Sequence, residues 1–151
     1  MLALTILGNN SAIPAFDRNP TAQVLQIHDE GYLIDCGEGT QSQMAKYKIR
    51  RSKINHIFIS HLHGDHYFGL IGLLSSMSLM GRTQDIHLHA PAALEQIIHL
   101  HLTVADTKLS YTLYFHPLTD EGLIVNDNKI TVHSFKVQHR IECWGFLNKK
   151  K

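Results

Sequence analysis

The chain reads as a layered α/β protein that carries its chemistry at the ends of its strands. Three observations point there. Strand-like and helix-like runs alternate along the whole sequence, and glycine and proline punctuate the joins, as at Gly37-Glu38-Gly39 and Pro91. One buried strand, Ile54 to Ile59, leads directly into the run His61-Leu62-His63-Gly64-Asp65-His66.

Each element follows from its local pattern. Leu2 to Leu7 reads as a strand, followed by a loop from Gly8 to Pro20. Thr21 to Ile27 and Tyr32 to Asp35 form a hairpin turned at Asp29-Glu30-Gly31. Thr40 suits the N-cap of a short helix from Gln41 to Tyr47. Tyr67 to Met80 is rich in Leu, Met and Gly and too long for one strand, so it is expected as a helix packed on a sheet. Ile86 to His89 is a strand, and Pro91 opens a helix that runs to about Val104, where its missing N–H costs nothing. Strands are expected at Tyr111 to His116, Lys129 to Val137 and Cys143 to Leu147.

The bulk composition narrows the classes of function. At 151 residues, with 44% hydrophobic and 18% charged residues, the chain can bury roughly 70% of its unfolded surface as one domain or part of one. A net charge of +1 provides no global attraction to nucleic acid, so any polyanion has to be bound locally. The one basic cluster, from Lys46 to Lys53, reads either as a solvated helix end and loop or as an RNA contact. No apolar run approaches the roughly 20 residues of a membrane span, and Met1 to Leu7 lacks the basic start of a signal peptide, so a cytoplasmic protein without membrane partners is expected. Cys36 and Cys143 lack zinc-knuckle spacing and read as reduced structural residues.

The run from His61 to His66 points to metal-dependent hydrolysis. In extended backbone, residues two apart project to the same side, so His61 and His63 can converge on one ion. Asp65 and His66, beyond the bend, can face a second position. Imidazole with carboxylate suits zinc, and manganese or iron would also be accepted. A chain with 12 His can show His-x-His by strand alternation alone, but here ligand types fill every place except Leu62 and Gly64. Gly64 is expected to permit a backbone conformation closed to other residues. His87 and His89, His99 and His101, and His28, His56, His116 and His133 are expected to be ordinary polar or core residues.

Four segments carry a family resemblance. Ser60-His61-Leu62-His63-Gly64-Asp65-His66 resembles the metal-binding signature of the metallo-β-lactamase superfamily. Leu33-Ile34-Asp35-Cys36-Gly37-Glu38-Gly39-Thr40-Gln41 is similar to the segment after the hairpin in ribonuclease Z, the endonuclease that trims tRNA 3′ ends. Ile13-Pro14-Ala15-Phe16-Asp17-Arg18-Asn19 resembles that family's early loop with its Arg-Asn pair. His139-Arg140-Ile141-Glu142-Cys143-Trp144-Gly145-Phe146 resembles its later His-x-Ile-x-Cys-x-Gly-aromatic motif.

The resemblance implies a metallo-β-lactamase-like αβ/βα sandwich, of which residues 1–147 would be the N-terminal half and 148–151 a tail. It implies that His61, His63 and His139 hold one zinc, that Asp65 and His66 contribute to another, and that Asp65 is the catalytic proton acceptor. The bridging Asp and further His that the family takes from its second half are not found here, so one firm zinc site is expected rather than two. The implied activity is zinc-dependent cleavage of tRNA precursors at the 3′ end, by attack of a metal-activated hydroxide on the phosphodiester, with the isolated chain weakly active or inactive. Two alternatives stay open. One is a phosphodiesterase or other hydrolase on small substrates, and the other is an inactive metal-binding half that forms a homodimer or associates with the missing C-terminal half. Asp35 is read either as a hydrogen-bond partner of a ligand histidine or as a cap of the glycine turn, and Arg18 as a phosphate contact or a loop anchor.

Overall fold

A computed structural model describes residues 1–13 and 15–151; Pro14, in the early loop motif, lies outside the described residues. β1 (Leu2–Gly8), β2 (Ala22–Ile27) and β3 (Glu30–Ile34) pair antiparallel. β4 (Ile54–Phe58), β5 (Ile86–Pro91) and β6 (Leu113–Leu118) continue the same sheet in parallel, so strand order follows chain order. α1 (Thr40–Lys46), α2 (Leu70–Leu79) and α3 (Ala93–Val104) fill the crossovers. Right-handed crossovers that all step the same way put their helices on one face. Met44, Leu73, Leu94 and Ile98 accordingly share one buried cluster with Leu33, Ile57 and Leu88 of the sheet.

The opposite face receives a second sheet. β7 (Gly122–Asn126), β8 (Ile130–Lys136) and β9 (Trp144–Lys150) pair antiparallel and lay Val125, Ile130 and Val132 on Ile27, Tyr32 and Phe58. The Tyr32 hydroxyl donates to Asp127 Oδ2 at 3.1 Å and pins the turn between β7 and β8 to the larger sheet. Parallel β3, β4 and β5 deliver their C-terminal ends to the same edge, and the candidate site collects there. Among the described residues no helix is long and apolar enough to cross a membrane.

The expected helices and strands are present, with shifted ends and one addition. Pro91 closes β5 opposite Leu118, and α3 begins at Ala93; a proline is tolerated at a strand end, where its missing donor is not needed. Thr40 opens α1 instead of capping it: Gly39 precedes the helix at φ +79°, and the Thr40 hydroxyl donates to the Gly37 carbonyl at 2.6 Å. The first hairpin turns at His28 and Asp29, leaving Glu30 and Gly31 in β3. β9 continues to Lys150, so three of the four residues expected as a tail pair with β8. β7 was not expected. Its apolar run is only Leu123-Ile124-Val125, and a register shift between Leu123 and Val125 breaks the alternation that marks a strand.

Four histidines read as ordinary residues come together on the face toward the second sheet. His56, His87, His89 and His116, from three adjacent strands, stack at ring separations of 4.6 to 5.6 Å. His56 Nδ1 lies 3.3 Å from His89 Nε2, and His87 Nδ1 lies 2.9 Å from His116 Nε2. Burial, and next the neighbouring His87, pushes His56 down to about 4. Burial, and next His116, pushes His89 down to about 3. The unfolded chain takes up these protons near pH 6.5, while the fold refuses them until far lower. Stability therefore falls as pH drops from about 6.5 toward 4, each ring adding a slope of up to about 1.4 kcal/mol per pH unit. Chemical denaturation across that window is expected to show a shallower slope in His89→Gln; an unchanged slope would show that the ladder does not govern acid sensitivity.

Candidate metal centre

The site is built where β4 stops. The Ile59 amide still donates to the His89 carbonyl at 2.9 Å, and the Ser60 carbonyl accepts the Trp144 amide at 2.9 Å, so the strand end is held from both sides. His63 is extended, at φ −74° and ψ 139°, and a short turn over Gly64–His66 follows before α2. That turn is clamped backbone to backbone: the Cys36 amide donates to the His66 carbonyl at 2.8 Å, and the Gly69 amide to the Cys36 carbonyl at 2.9 Å.

Close approach, rather than a left-handed backbone, explains the glycines here. A Cβ on Gly69 would lie 2.2 Å from the Gly37 carbonyl oxygen, and one on Gly37 would lie 2.4 Å from the Asp65 carbonyl oxygen. Gly64 is expected from sequence to supply an unusual conformation, but left-handed φ occurs at Gly39, Gly81 and Gly122 among the glycines, and the nearest atoms to a Gly64 Cβ would be those of the Phe68 ring.

His139 arrives from the loop between β8 and β9, whose base is closed by the Val137 amide bonding the Cys143 carbonyl at 2.9 Å. The structure brings His61, His63 and His139 together, with one ring nitrogen of each within 4.8 Å of the others. Their rings meet edge to face, 4.8 to 5.0 Å apart and inclined by 79 to 81°. His139 Nε2 and His63 Nδ1 are 3.2 Å apart. Metal ligation requires neutral imidazole. Burial, followed by the nearby His66, pushes His61 down to about 4, and burial followed by Arg140 lowers His63. Donor type and convergence therefore fit a metal ion, and the lowered pKa values of His61 and His63 favour the neutral rings that ligation needs.

Asp65 and His66 lie beside this trio. His66 Nε2 is 3.5 Å from Asp65 Oδ2, and the His66 ring sits 3.8 Å from that of His61. Burial alone would lower the His66 pKa, but the hydrogen bond and charge of Asp35 raise it. Asp35 is buried and left-handed, at φ +56°. Its Oδ1 accepts the Ser60 amide at 2.8 Å, and its Oδ2 accepts the Ser60 hydroxyl at 3.0 Å and the His66 Nδ1–H at 2.7 Å. Of the two readings of Asp35, the hydrogen bond to a histidine is the one the geometry favours.

Two residues of the site escaped sequence reasoning. Arg140 directs Nε and Nη2 at His63 Nε2, at 3.3 and 3.2 Å, beside a cavity of about 450 Å³ that Glu38, Asp65 and Phe68 also line. Its place next to His139 was the available signal. Ser60 is visible in sequence only as the residue that precedes the histidine run. Cys36 and Cys143 are free thiols, and Cys143 Sγ stands 3.7 Å from His61 Nδ1. Arg18 is exposed, and its amide closes a tight turn onto the Ala15 carbonyl at 3.0 Å.

Comparison with known proteins defines the lineage. A family model described as anti-Pycsar protein Apyc1 matches residues 2–146. The chain belongs to that family. It is also similar to ribonuclease Z of Bacteroides thetaiotaomicron, 43% identical over 98% of this chain and 48% of that protein. Ribonuclease Z of Ligilactobacillus salivarius is 41% identical over 99% of this chain and 49% of its own length. Among solved structures, the short form of human tRNase Z superposes with a TM-score of 0.91 at 34% identity, covering 97% of this chain and 64% of that one. The metallo-β-lactamase fold protein YhfI of Bacillus subtilis, at TM-score 0.73 and 20% identity, shares the fold, with 97% of this chain and 57% of that one covered. The metallo-β-lactamase fold and the ribonuclease Z resemblance read from the motifs are thus borne out. The chain spans about half the length of the curated relatives it matches.

Packing around the ligand turn is directly testable. Gly69→Ala forces a side chain against backbone and is expected to cost about 1 to 3 kcal/mol or more. Gly64→Ala meets first the exposed Phe68 ring, a side chain that can turn away, and should cost less. Equal losses in denaturant titrations would contradict this account of the clamp.

Proposed function

We propose that His61, His63 and His139 hold one zinc ion, that Asp65 and His66 contribute to an adjacent one, and that the protein this chain represents is an endoribonuclease of ribonuclease Z type acting on the 3′ ends of tRNA precursors. The observation that carries the reading is the mutual arrangement of the three imidazoles beside a carboxylate at a strand end. Relatives named ribonuclease Z, at 41 to 43% identity, support the substrate class. The free thiols Cys36 and Cys143 suit a reducing cytoplasm.

A divalent metal held by these residues supplies Lewis acidity, lowering the pKa of a bound water and neutralising charge on a phosphoryl oxygen. The protein residues divide the remaining tasks. Asp65 has two oxygens, one to serve as a ligand and one to accept the proton of the attacking water. Asp35 holds the Nδ1–H of His66 and so aims its Nε2 toward Asp65. The exposed side of the site opens onto the cavity beside Arg140, where a phosphodiester has room to approach.

Ligand count sets the expectation for the isolated 151-residue chain: one zinc bound firmly, and phosphodiesters cleaved slowly or not at all. Metal analysis after dialysis should give one zinc per chain. His139→Ala should weaken that binding by more than the roughly 10- to 100-fold loss typical of an outer hydrogen-bond partner. Two firmly bound ions, or unchanged affinity in His139→Ala, would contradict the assignment.

The same five candidate ligands, His61, His63, Asp65, His66 and His139, would also serve a second reading, a phosphodiesterase or other hydrolase on small substrates. Rates on a tRNA precursor and on a small phosphodiester, measured with the longest available form of the protein, separate the two. Faster turnover of the small ester with indifference to the RNA would favour the second. Leu2, Leu4 and Ile6 alternate along β1 with 45 to 56% of their surface exposed. This apolar row supports association with a second copy or with the remainder of a longer chain. Sedimentation of the 151-residue chain as a compact monomer would argue against that association.

A further inference from the structure

The geometry points to Ser60 as a positioning residue that sets the ring tautomer of His61, passing the influence of Asp35 to it through a hydroxyl. Ser60 Oγ lies 3.0 Å from Asp35 Oδ2, 3.0 Å from His61 Nδ1 and 3.2 Å from His66 Nδ1. A carboxylate only accepts, so the single Ser60 proton is committed to Asp35. The oxygen then has lone pairs alone to offer, and His61 completes the bond by carrying its hydrogen on Nδ1. A neutral imidazole has one N–H, so Nε2 of His61 keeps its lone pair for a metal. His66 is served directly, its Nδ1 lying 2.7 Å from Asp35 Oδ2.

One buried carboxylate thus orients two imidazoles, one by contact and one through Ser60. The arrangement has no ready substitute. Among the described residues, the other side chain within hydrogen-bond range of His61 Nδ1 is Cys143, whose Sγ at 3.7 Å is a weak acceptor. The Ser60 backbone is independently anchored, its amide to Asp35 Oδ1 at 2.8 Å and its carbonyl to the Trp144 amide at 2.9 Å, so the strand end holds when the hydroxyl is removed.

This inference uses the metal reading of His61 for only one of its two readouts. Nitrogen NMR of the metal-free chain at neutral pH reports which ring nitrogen carries hydrogen. The wild type is expected to show His61 protonated on Nδ1. Ser60→Ala should move a substantial share to the other tautomer while His66, bonded directly to Asp35, stays protonated on Nδ1 and reports an intact site. Ser60→Thr, which keeps the hydroxyl, should behave as wild type. If Ser60→Ala fails to fold, Ser60→Cys keeps the volume with a weaker acceptor and should loosen the His61 tautomer in the same way.

In the second readout, zinc titration, Ser60→Ala should bind about 10- to 100-fold more weakly and Ser60→Thr within a few-fold of wild type. A tautomer that follows the hydroxyl in a chain that takes up no zinc supports the relay and overturns the metal reading. A His61 tautomer indifferent to the hydroxyl overturns the relay whatever the zinc result.

Discussion

The buried carboxylate of Asp35 is the interaction on which the rest of the site depends. It sits at the end of β3 in a left-handed conformation and receives the Ser60 amide and hydroxyl from the end of β4 and His66 from the ligand turn. A buried charge is costly unless hydrogen-bonded on all sides, and here three donors meet it. The same bonds that satisfy the charge fix the relative positions of two strand ends and a turn. Structural and chemical roles therefore reside in one group.

Around that anchor the fold supplies what a metal site needs at little local cost. Parallel β3, β4 and β5 present their C-terminal ends together, so residues distant in sequence meet at one edge of the sheet. The loop between β8 and β9 then brings His139 from the second sheet onto His63. The site thus spans both layers of the sandwich, and Val125, Ile130 and Val132 pack on Tyr32 and Phe58 to join the sheet that carries the third imidazole to the first.

How much of this was legible in the sequence depended on whether the signal was local. His61, His63, Asp65 and His66 were readable because ligand types crowd six residues at a strand end. His139 was readable only through its motif, since nothing in spacing links it to His63. Asp35 stayed ambiguous, because a carboxylate between a strand and a glycine turn can serve either neighbour, and only the tertiary position of His66 decides. The His56, His87, His89 and His116 ladder was invisible for the same reason: it exists through the register of three parallel strands. β7 was lost because a bulge erased its alternation.

The two histidine groups make a direct test possible. Crystals of the 151-residue chain soaked in zinc and measured at the zinc absorption edge locate bound ions independently of any activity. The expected result is one strong anomalous peak within about 2.0 to 2.2 Å of a ring nitrogen of each of His61, His63 and His139. A strong peak on the His87–His116 pair with none at the trio would contradict the account.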